Sequence, residues 1–260
     1  MGRFVNEGPL VGTRPRDWNA PTYDRVANPH VGWGRQVLDW IDLAGDERVL
    51  DAGCGTGRVT ELLLERLPRG RVVALDASPS MLEEAGPRLA HASERVELLC
   101  ADLAQPLPVD GLVDAIFSTA TFHWVADHDA LFRTLAAVLR PGGQLVAQCG
   151  GAGSIATVIA ALPPAEDGWM GPWTFADPEA TRRRLEAAGF EEIQVWLQEE
   201  PTAIDAGEPL ETFLATVILG AHLDRLPPEE RDGFVKGVAA RLPRAEIDYV
   251  RLNIVARRGG

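Results

Sequence analysis

The stretch VLDAGCGTGRVT, residues 49–60, decides the fold of this chain. An apolar run ends at Asp51, and three glycines follow at every second position, Gly53, Gly55 and Gly57. Glycine costs conformational entropy in regular structure, so this density indicates a backbone that lies close against something else. Because an apolar strand pattern precedes the glycines and a helical pattern follows them, the stretch predicts a strand, a tight loop and a helix.

The spacing of the glycines discriminates between ligands. A dinucleotide-binding turn has the pattern G-x-G-x-x-G/A, whereas Arg58 occupies the last required position here. A P-loop for phosphate needs the string Gly-Lys-Ser/Thr, which the sequence lacks. The loop therefore favours a nucleoside without a pyrophosphate. A second stretch, GAGSIA at 151–156, fits the dinucleotide pattern, but no strand-ending acid follows it, and we interpret it as a flexible exit from a strand.

Strand and helix patterns alternate on both sides of the loop. Apolar runs of strand length are predicted at residues 47–53, 71–77, 95–102, 112–120 and 144–150. Helices are predicted between them and before them, at 33–43, at 59–67, from Ser78 onward and after Asp127 or Asp129. Alternation of this kind means parallel strands with right-handed crossovers, and near-continuous apolar strands mean a sheet covered on both faces. The predicted fold class is α/β, an open, mostly parallel, doubly wound sheet.

The regular alternation of strand and helix patterns ends after residue 150. A helix capped by Asp177, a strand at 191–200, helices at 208–222 and 228–241, and a last strand at 246–258 are predicted there. We expect an N-terminal arm or lid at residues 1–30 and a single domain at 31–260. The cofactor-binding core of that domain is predicted at 31–150, with helical lid insertions at about 151–176 and 205–243.

Composition narrows the classes of function. The chain has 260 residues and a net charge of −13, which argues against a nucleic-acid partner. Three separated cysteines form neither a disulfide framework nor a CxxC pair, and the sequence shows no signal peptide or apolar run of membrane-spanning length. We expect a cytoplasmic protein with no membrane partner. The oligomeric state stays open.

Two acids end the strands that follow the glycine loop. Asp76 lies roughly 20 residues past the glycines, where a carboxylate accepts both hydrogens of a ribose diol. Asp102 ends the next strand and is positioned to accept a hydrogen bond from an exocyclic adenine amine. The alternatives, a solvated strand end for Asp76 and a helix or turn cap for Asp102, stay open at this point.

These features together resemble motif I and the later motifs of class I S-adenosylmethionine-dependent methyltransferases. The resemblance covers residues 40–150 and includes the turn at 139–143. It implies a methyltransferase with S-adenosylmethionine as cofactor and S-adenosylhomocysteine as product. It also implies a cofactor site made by the loop and the strand ends, namely Asp51, Gly53, Cys54, Gly55, Gly57, Asp76, Ala77, Ala101, Asp102, Leu103, Thr119 and Ala120.

A closer similarity is to the trans-aconitate methyltransferases, a group that methylates small-molecule carboxylates. It rests on AspTrpAsn at 17–19 with Tyr23, on PheHisTrp at 122–124 and on the terminal AsnIleValAlaArgArg. The resemblance implies that Trp18 and Tyr23 belong to a lid over the cofactor. It places His123 and Trp124 at the acceptor pocket, with His123 as a candidate base or an orienter of the acceptor. A metal site at residues 123–129 is not expected.

The acceptor itself is less well defined. A polyanionic substrate needs arginine or lysine in its pocket, but the insertion at 151–176 has none and instead contributes Trp169 and Trp173. We therefore expect a small-molecule acceptor less polar than a tricarboxylate. O-methylation of a carboxylate or hydroxyl by in-line displacement is the favoured reaction. The alternatives are C- or N-methylation of an apolar secondary metabolite and a non-catalytic protein that binds the cofactor.

Overall fold

The structure, a computed structural model, describes residues 3–4, 17–18, 20–26, 28–165 and 167–260. Its strands in chain order are β1 (Arg3–Phe4), β2 (Arg48–Ala52), β3 (Arg71–Asp76), β4 (Val96–Cys100), β5 (Val113–Thr119), β6 (Leu139–Gly150), β7 (Phe190–Glu199), β8 (Thr202–Ala203), β9 (Glu246–Ile247) and β10 (Val250–Arg258). Five of them, β2 to β6, correspond to the strands predicted around the glycine loop.

Eight strands form one sheet in the order β1-β4-β3-β2-β5-β6-β10-β7. Each neighbouring pair is parallel except the two pairs made by β10, which is antiparallel to β6 and to β7. The strands β8 and β9 form a separate antiparallel pair. The strand order reverses between β2 and β5, and the carboxyl ends of strands at such a point form a crevice where ligands bind. The predicted α/β class is confirmed.

Ten α-helices flank or cap this sheet within the described ranges. They are α1 (Ala20–Val26), α2 (Asn28–Leu38), α3 (Arg58–Arg66), α4 (Pro79–Leu89), α5 (His128–Val138), α6 (Ala156–Ala161), α7 (Pro178–Ala187), α8 (Glu208–Phe213), α9 (Gly220–Leu223) and α10 (Pro228–Arg241). A π-helical turn, Leu214–Ile218, joins α8 to α9. The predicted helix at 208–222 is therefore three short pieces rather than one.

The predicted helix starts after polar residues are confirmed. Ser78, Asp127 and Asp177 each cap a helix by accepting a hydrogen bond from a backbone N–H three residues ahead. The predicted boundaries of the first helix are wrong, because α2 begins at Asn28 and ends at Leu38 rather than spanning 33–43. Gly34 lowers the helical signal, and its role is packing: a Cβ there would lie 2.8 Å from Val59 of α3.

The stretch after β6 is more regular than expected. Instead of a flexible exit, Gly151 bridges to Ala176 and α6 follows within a few residues. The backbone N–H of Ile155 donates to the carbonyl of Asp248, and the hydroxyl of Thr157 donates to the Asp248 carboxylate at 2.6 Å. These partners lie about ninety residues along the chain, so the local pattern of residues 151–156 contains no sign of them.

The core has one layer on each face of the sheet and a third cluster beyond its edge. Neighbouring residues of β2 face opposite layers: Leu50 packs with α5 and α7, and Val49 with α2, α3 and α4. The third cluster joins α2, α6, α8, the π-helical turn and α10 through residues such as Trp33, Ile155 and Val217. We call this third cluster the helical cap.

Candidate functional site

A cavity of about 880 Å³ lies between the carboxyl ends of the strands and the helical cap. Five strands contribute to its floor: Gly53 follows β2, Asp76 ends β3, Asp102 follows β4, Thr119 ends β5 and Gly150 ends β6. The opposite wall comes from the helical cap and the segment before α7. The cavity therefore occupies the edge at which the strand order predicts a ligand.

The glycine loop presents bare backbone to this cavity. The backbone N–H groups of Gly53 and Cys54 both donate to the carbonyl of Leu75, at 2.7 and 2.9 Å, which ties the loop to β3. Gly55 has a φ of 54°, and a Cβ built on it would meet no atom within 4 Å. Because Gly55 lines the cavity, that open space belongs to the cavity and fits a ligand lying against the main chain.

Asp76 is held by the same loop. Its Oδ2 accepts a hydrogen bond from the backbone N–H of Gly55 at 2.8 Å, and its Oδ1 accepts one from the N–H of Ser78 at 2.9 Å. Burial raises the pKa of the Asp76 carboxyl, and the backbone hydrogen bonds oppose that rise. A carboxylate has about four lone-pair sites, so this fixed group retains capacity to accept hydrogen bonds from a diol.

Asp102 and its neighbours form the next part of the floor. The Oδ1 of Asp102 accepts a hydrogen bond from the N–H of Ala104 at 2.9 Å, which fixes the turn after β4. Asp102, Leu103 and Ala77 all line the cavity. Ala101 is absent from the lining, and its N–H donates to the carbonyl of Asp76.

Three residues of motif I lie behind the cavity wall rather than in it. Asp51, Cys54 and Gly57 are not among the lining residues. The buried carboxyl of Asp51 accepts a hydrogen bond from the hydroxyl of Thr60 at 2.7 Å, and burial raises its pKa to about 7. Gly57 caps α3 with a φ of 81°. The Asp51 side chain points to Thr60 of α3, so the structure does not bring it to the cavity.

The segment after β5 enters the cavity with an unusual backbone. Thr119 and Ala120 both line it, and Ala120 has a φ of 55°, in the left-handed region that a residue with a Cβ seldom adopts. The N–H of Ala120 donates to the carbonyl of Gln148 at 2.7 Å, which holds this conformation. Strain of this kind is frequent at ligand sites.

Within the described part of the N-terminal segment, one side chain lines the cavity. Trp18 lines it and packs edge-on against Trp124, with ring centroids 4.9 Å apart. The backbone N–H of Trp18 donates to the hydroxyl of Ser78, and the carboxylate of Asp17 accepts from the N–H of Ser80 at 3.2 Å. Tyr23 belongs to α1, but its side chain lies outside the described part of the chain, so its predicted role stays a prediction.

His123 lies in the short 3₁₀ turn Phe122–Trp124 after β5. Its Nδ1 accepts a hydrogen bond from the N–H of Gly150 at 3.2 Å, and its ring stacks on Phe175 at 5.9 Å. Since Nδ1 is an acceptor here, the neutral ring has its proton on Nε2. In that tautomer Nε2 carries the proton, and the role of His123 as a base or as an orienter of the acceptor stays a prediction.

Aromatic rings form the wall beside His123. Trp124, Trp169 and Trp173 line the cavity together with Phe175. Trp173 stacks on Phe175 with centroids 5.9 Å apart and lies 6.3 Å from Trp124. The structure thus brings together the four residues predicted for the acceptor pocket, His123 and the three tryptophans.

Sequence reasoning missed Arg251. This residue of β10 is only 2% exposed and lines the cavity. Its Nε donates to the Oε1 of Gln148 at 3.3 Å, and its guanidinium lies 4.3 Å above the ring of Trp33. The signal was present in the sequence as a charge inside the apolar strand VRLNIV, residues 250–255.

Two further observations concern the part of the chain that the structure describes. No helix there is long and apolar enough to cross a membrane. No three histidine, cysteine, aspartate or glutamate side chains there form a group that would hold a metal ion.

Comparisons with known proteins agree on one kind of enzyme. A family model described as a methyltransferase domain matches residues 49–143. The chain is 31% identical to a trans-aconitate 2-methyltransferase of Paracidovorax citrulli, over 93% of this chain and 98% of that protein. It is 29% identical to the enzyme of the same name from Methylobacterium radiotolerans, with the same coverage. With the Variovorax paradoxus enzyme it is 40% identical over about half of each chain, 51% and 49%.

Solved structures give the same fold. The phosphoethanolamine N-methyltransferase 2 of Haemonchus contortus, in complex with S-adenosylhomocysteine, superposes with a TM-score of 0.65 at 19% identity, over 93% of this chain and 57% of that one. The geranyl diphosphate C-methyltransferase of Streptomyces coelicolor superposes with a TM-score of 0.57 at 17% identity, over 87% and 75%. At these identities the likeness concerns the fold alone.

Proposed function

The chain belongs to the class I S-adenosylmethionine-dependent methyltransferases and is similar within them to the trans-aconitate methyltransferases, and from this premise we propose that it methylates a carboxylate oxygen of a small organic acid. Its cofactor is S-adenosylmethionine. The relatives named for trans-aconitate supply the chemical class of the acceptor, and the geometry beside His123 supplies the physical argument.

The observation that carries the proposal is the hydrogen bond from the N–H of Gly150 to Nδ1 of His123. An alcohol or phenol must lose a proton to become a nucleophile, so its methylation needs a base within reach. With the proton of His123 on Nε2, this ring donates a hydrogen bond instead. A carboxylate is already ionised at neutral pH, so it needs no base. It also accepts a hydrogen bond, so it fits a site in which His123 is a donor.

The cofactor is assigned to the floor of the cavity. We place its ribose on Asp76, its adenine beside Asp102 with Ala77 and Leu103, and its methionine part along the bare backbone at Gly53 and Gly55. The carbonyls of Thr119 and Ala120 are the proposed acceptors for its ammonium group, and Trp18 covers it. The support is that all of these residues line one cavity, while Gly55 and the doubly anchored carboxylate of Asp76 fit a nucleoside.

The reaction needs alignment more than acid–base chemistry. The bound cofactor supplies a methyl group on a positively charged sulfur. A carboxylate oxygen of the acceptor forms the O–C bond as the S–C bond breaks, and the electron pair of that bond stays on sulfur, so no proton moves. Two opposite charges disappear together, which a dry and weakly polar pocket favours. The aromatic wall of Trp124, Trp173 and Phe175 supplies the weakly polar surface beside His123.

The test is to identify the product. The protein is incubated with S-adenosylmethionine labelled in its methyl group and with trans-aconitate or another small acid, and the labelled product is treated with mild alkali. A carboxyl methyl ester releases its label as methanol. A product stable to alkali indicates a methyl ether or C- or N-methylation instead, and tight binding of the cofactor without turnover of any acceptor indicates a binding protein. Either result contradicts the proposal.

A further inference from the structure

We propose that Arg251 binds a second carboxylate of the acceptor, one that is not methylated, so that the preferred acceptor is an acid with at least two carboxylates. This inference rests on the proposed function and adds to it the residue that determines which acids are used. The observations that carry it are the burial of Arg251, its orientation, its place in the sheet and the chemistry of the transfer.

Arg251 is held in place by a row of buried amides. Its Nε donates to Oε1 of Gln148, and Nε2 of Gln148 donates to Oδ1 of Asn253 at 2.8 Å. Asn253 in turn donates to Oε1 of Gln198 at 3.5 Å. Gln148 and Asn253 have no exposed surface. A buried polar row is stable only when its members have partners, and this one fixes the guanidinium over Trp33 and at the cavity wall.

A guanidinium at the cavity wall is a binding group for an anion, because it is always charged and its planar fork of N–H donors matches a carboxylate. The guanidinium of Arg251 also contacts the rings of Trp33, with the centroid 4.3 Å away, and Tyr249, with the centroid 6.0 Å away. Among the described residues that line the cavity, Arg251 is the one arginine or lysine. Among these described residues Arg251 is thus the one cationic group for a carboxylate in the cavity, and a guanidinium binds a carboxylate through two parallel hydrogen bonds.

The sheet places Arg251 on the acceptor side. Strand β10 lies three strand spacings from β2, in the order β2-β5-β6-β10, which is roughly 14 Å from the glycine loop at about 4.8 Å per spacing. Across the pair of β10 and β6, Arg251 lies opposite Gly150, whose N–H holds His123. Arg251 thus adjoins the residue assigned to the acceptor, whereas the cofactor is assigned to β2, β3 and β4.

The charge balance of the transfer decides which carboxylate Arg251 binds. The reacting carboxylate loses its negative charge as the ester forms, so a guanidinium on that group would stabilise the starting state more than the transition state. A guanidinium on a carboxylate that keeps its charge binds both states equally. Arg251 can therefore anchor the acceptor without slowing the reaction only if the acceptor has a second carboxylate.

The experiment compares two acids with the same propene backbone. Crotonate has one carboxylate and glutaconate has two. Steady-state kcat and KM are measured for both with the wild-type protein and with Arg251→Gln, Arg251→Lys and Arg258→Gln, alongside the Kd of S-adenosylhomocysteine by calorimetry. Arg258 is the control, because it lies at the far end of the same strand and bonds to the carbonyls of Ala136 and Gly189.

We expect Arg251→Gln to raise the KM for glutaconate about 30- to 100-fold, as for loss of a charge-assisted pair, with kcat and the Kd of S-adenosylhomocysteine nearly unchanged. The kcat/KM for crotonate stays within about threefold of wild type. Arg251→Lys keeps the charge, so its KM for glutaconate lies between the values for wild type and Arg251→Gln. Arg258→Gln has the same KM for glutaconate as wild type.

Three results overturn the inference: an equal loss for both acids, no change in the ratio of their KM values in Arg251→Lys, or a loss of affinity for S-adenosylhomocysteine in place of the acceptor effect. The last result would assign Arg251 to the methionine carboxylate of the cofactor. Arg251→Lys serves as the test if Arg251→Gln does not fold. Failure of the proposed function is separate, because wild-type protein would then esterify neither acid.

Discussion

Replacement of Asp76 by alanine tests the cofactor site most closely. The carboxylate accepts hydrogen bonds from the N–H groups of Gly55 and Ser78, and we propose that it also accepts those of the ribose hydroxyls. The variant removes both sets of acceptors. The two backbone bonds are present with and without ligand, so their loss affects the free energy of unfolding, whereas the loss of the ribose contacts affects the Kd.

The magnitude follows from what each state loses. The folded variant lacks two hydrogen bonds to a charged group, which lowers its free energy of unfolding. It also lacks a buried carboxylate, whose pKa burial raises, and this loss opposes the first effect. No opposing effect offsets the loss of the ribose contacts in the free energy of cofactor binding. Stranding the ribose hydroxyls costs ~1–3 kcal/mol, which raises the Kd of S-adenosylhomocysteine about 5- to 150-fold.

Isothermal titration calorimetry with two ligands separates binding from loop support. S-adenosylhomocysteine and its 2′-deoxy analogue are titrated into the wild-type protein and into Asp76→Ala. If Asp76 binds the diol, the substitution weakens the deoxy analogue several-fold less than the parent, because one of the contacts is already missing. An equal loss for both ligands would refute the ribose contact and leave Asp76 as a support of the Gly55 loop. Unchanged affinity for both would remove Asp76 from the site altogether.

Three further predictions concern the loop, the buried acid and the histidine. Gly55→Ala should raise the Kd of S-adenosylhomocysteine about tenfold or more, since the new Cβ enters the cavity. The control is Gly142→Ala, which has a φ of 75° and similar open space away from the cavity and should leave the Kd unchanged. Equal Kd values for the two variants would contradict the proposed contact between the cofactor and the backbone of Gly55. Asp51 has a pKa raised to about 7 from 3.8, so the folded state binds its proton more tightly, and the stability that this proton provides is lost as pH rises through about 7. Asp51→Asn should therefore gain stability relative to wild type between about pH 4 and 7, by at most ~1.4 kcal/mol per pH unit in thermal melts, and a constant difference across that range would argue against the shift. His123→Gln, which retains a donor, should keep kcat within about tenfold of wild type, whereas His123→Ala loses more; an equal loss of about a hundredfold or more in both would identify His123 as a general base.

Much of the fold was predictable because its signals are local. The apolar run before Gly53 and the acid at Asp76 mark strand ends, and β2 and β3 end within two residues of the predicted positions. Ser78, Asp127 and Asp177 mark helix starts because their side chains satisfy backbone donors in the next turn. The cofactor-side residues follow from these strand ends, since parallel strands bring their carboxyl ends to one edge.

The remaining features depend on contacts between distant parts of the chain. The order of α6 after β6 comes from Asp248, about ninety residues away, and the left-handed conformation of Ala120 comes from Gln148 on the neighbouring strand. The separation of Asp51 from the cavity depends on the direction of its side chain toward Thr60. None of these partners is implied by the residues next to them in sequence.

Arg251 shows the same difficulty at the candidate site. A charge within an apolar strand is visible in the sequence, but its burial depends on Gln148 of β6 and Trp33 of α2. An acceptor less polar than a tricarboxylate stays a prediction, as does the boundary of the arm near residue 30, which α2 crosses.

A crystal structure with S-adenosylhomocysteine bound tests the central claim most directly. We predict that the ribose hydroxyls lie on the carboxylate of Asp76 and that the homocysteine chain follows the backbone of Gly53 and Gly55. The sulfur should face His123, with Arg251 apart from the ligand. A nucleoside bound elsewhere, or a homocysteine carboxylate paired with the guanidinium of Arg251, would contradict it.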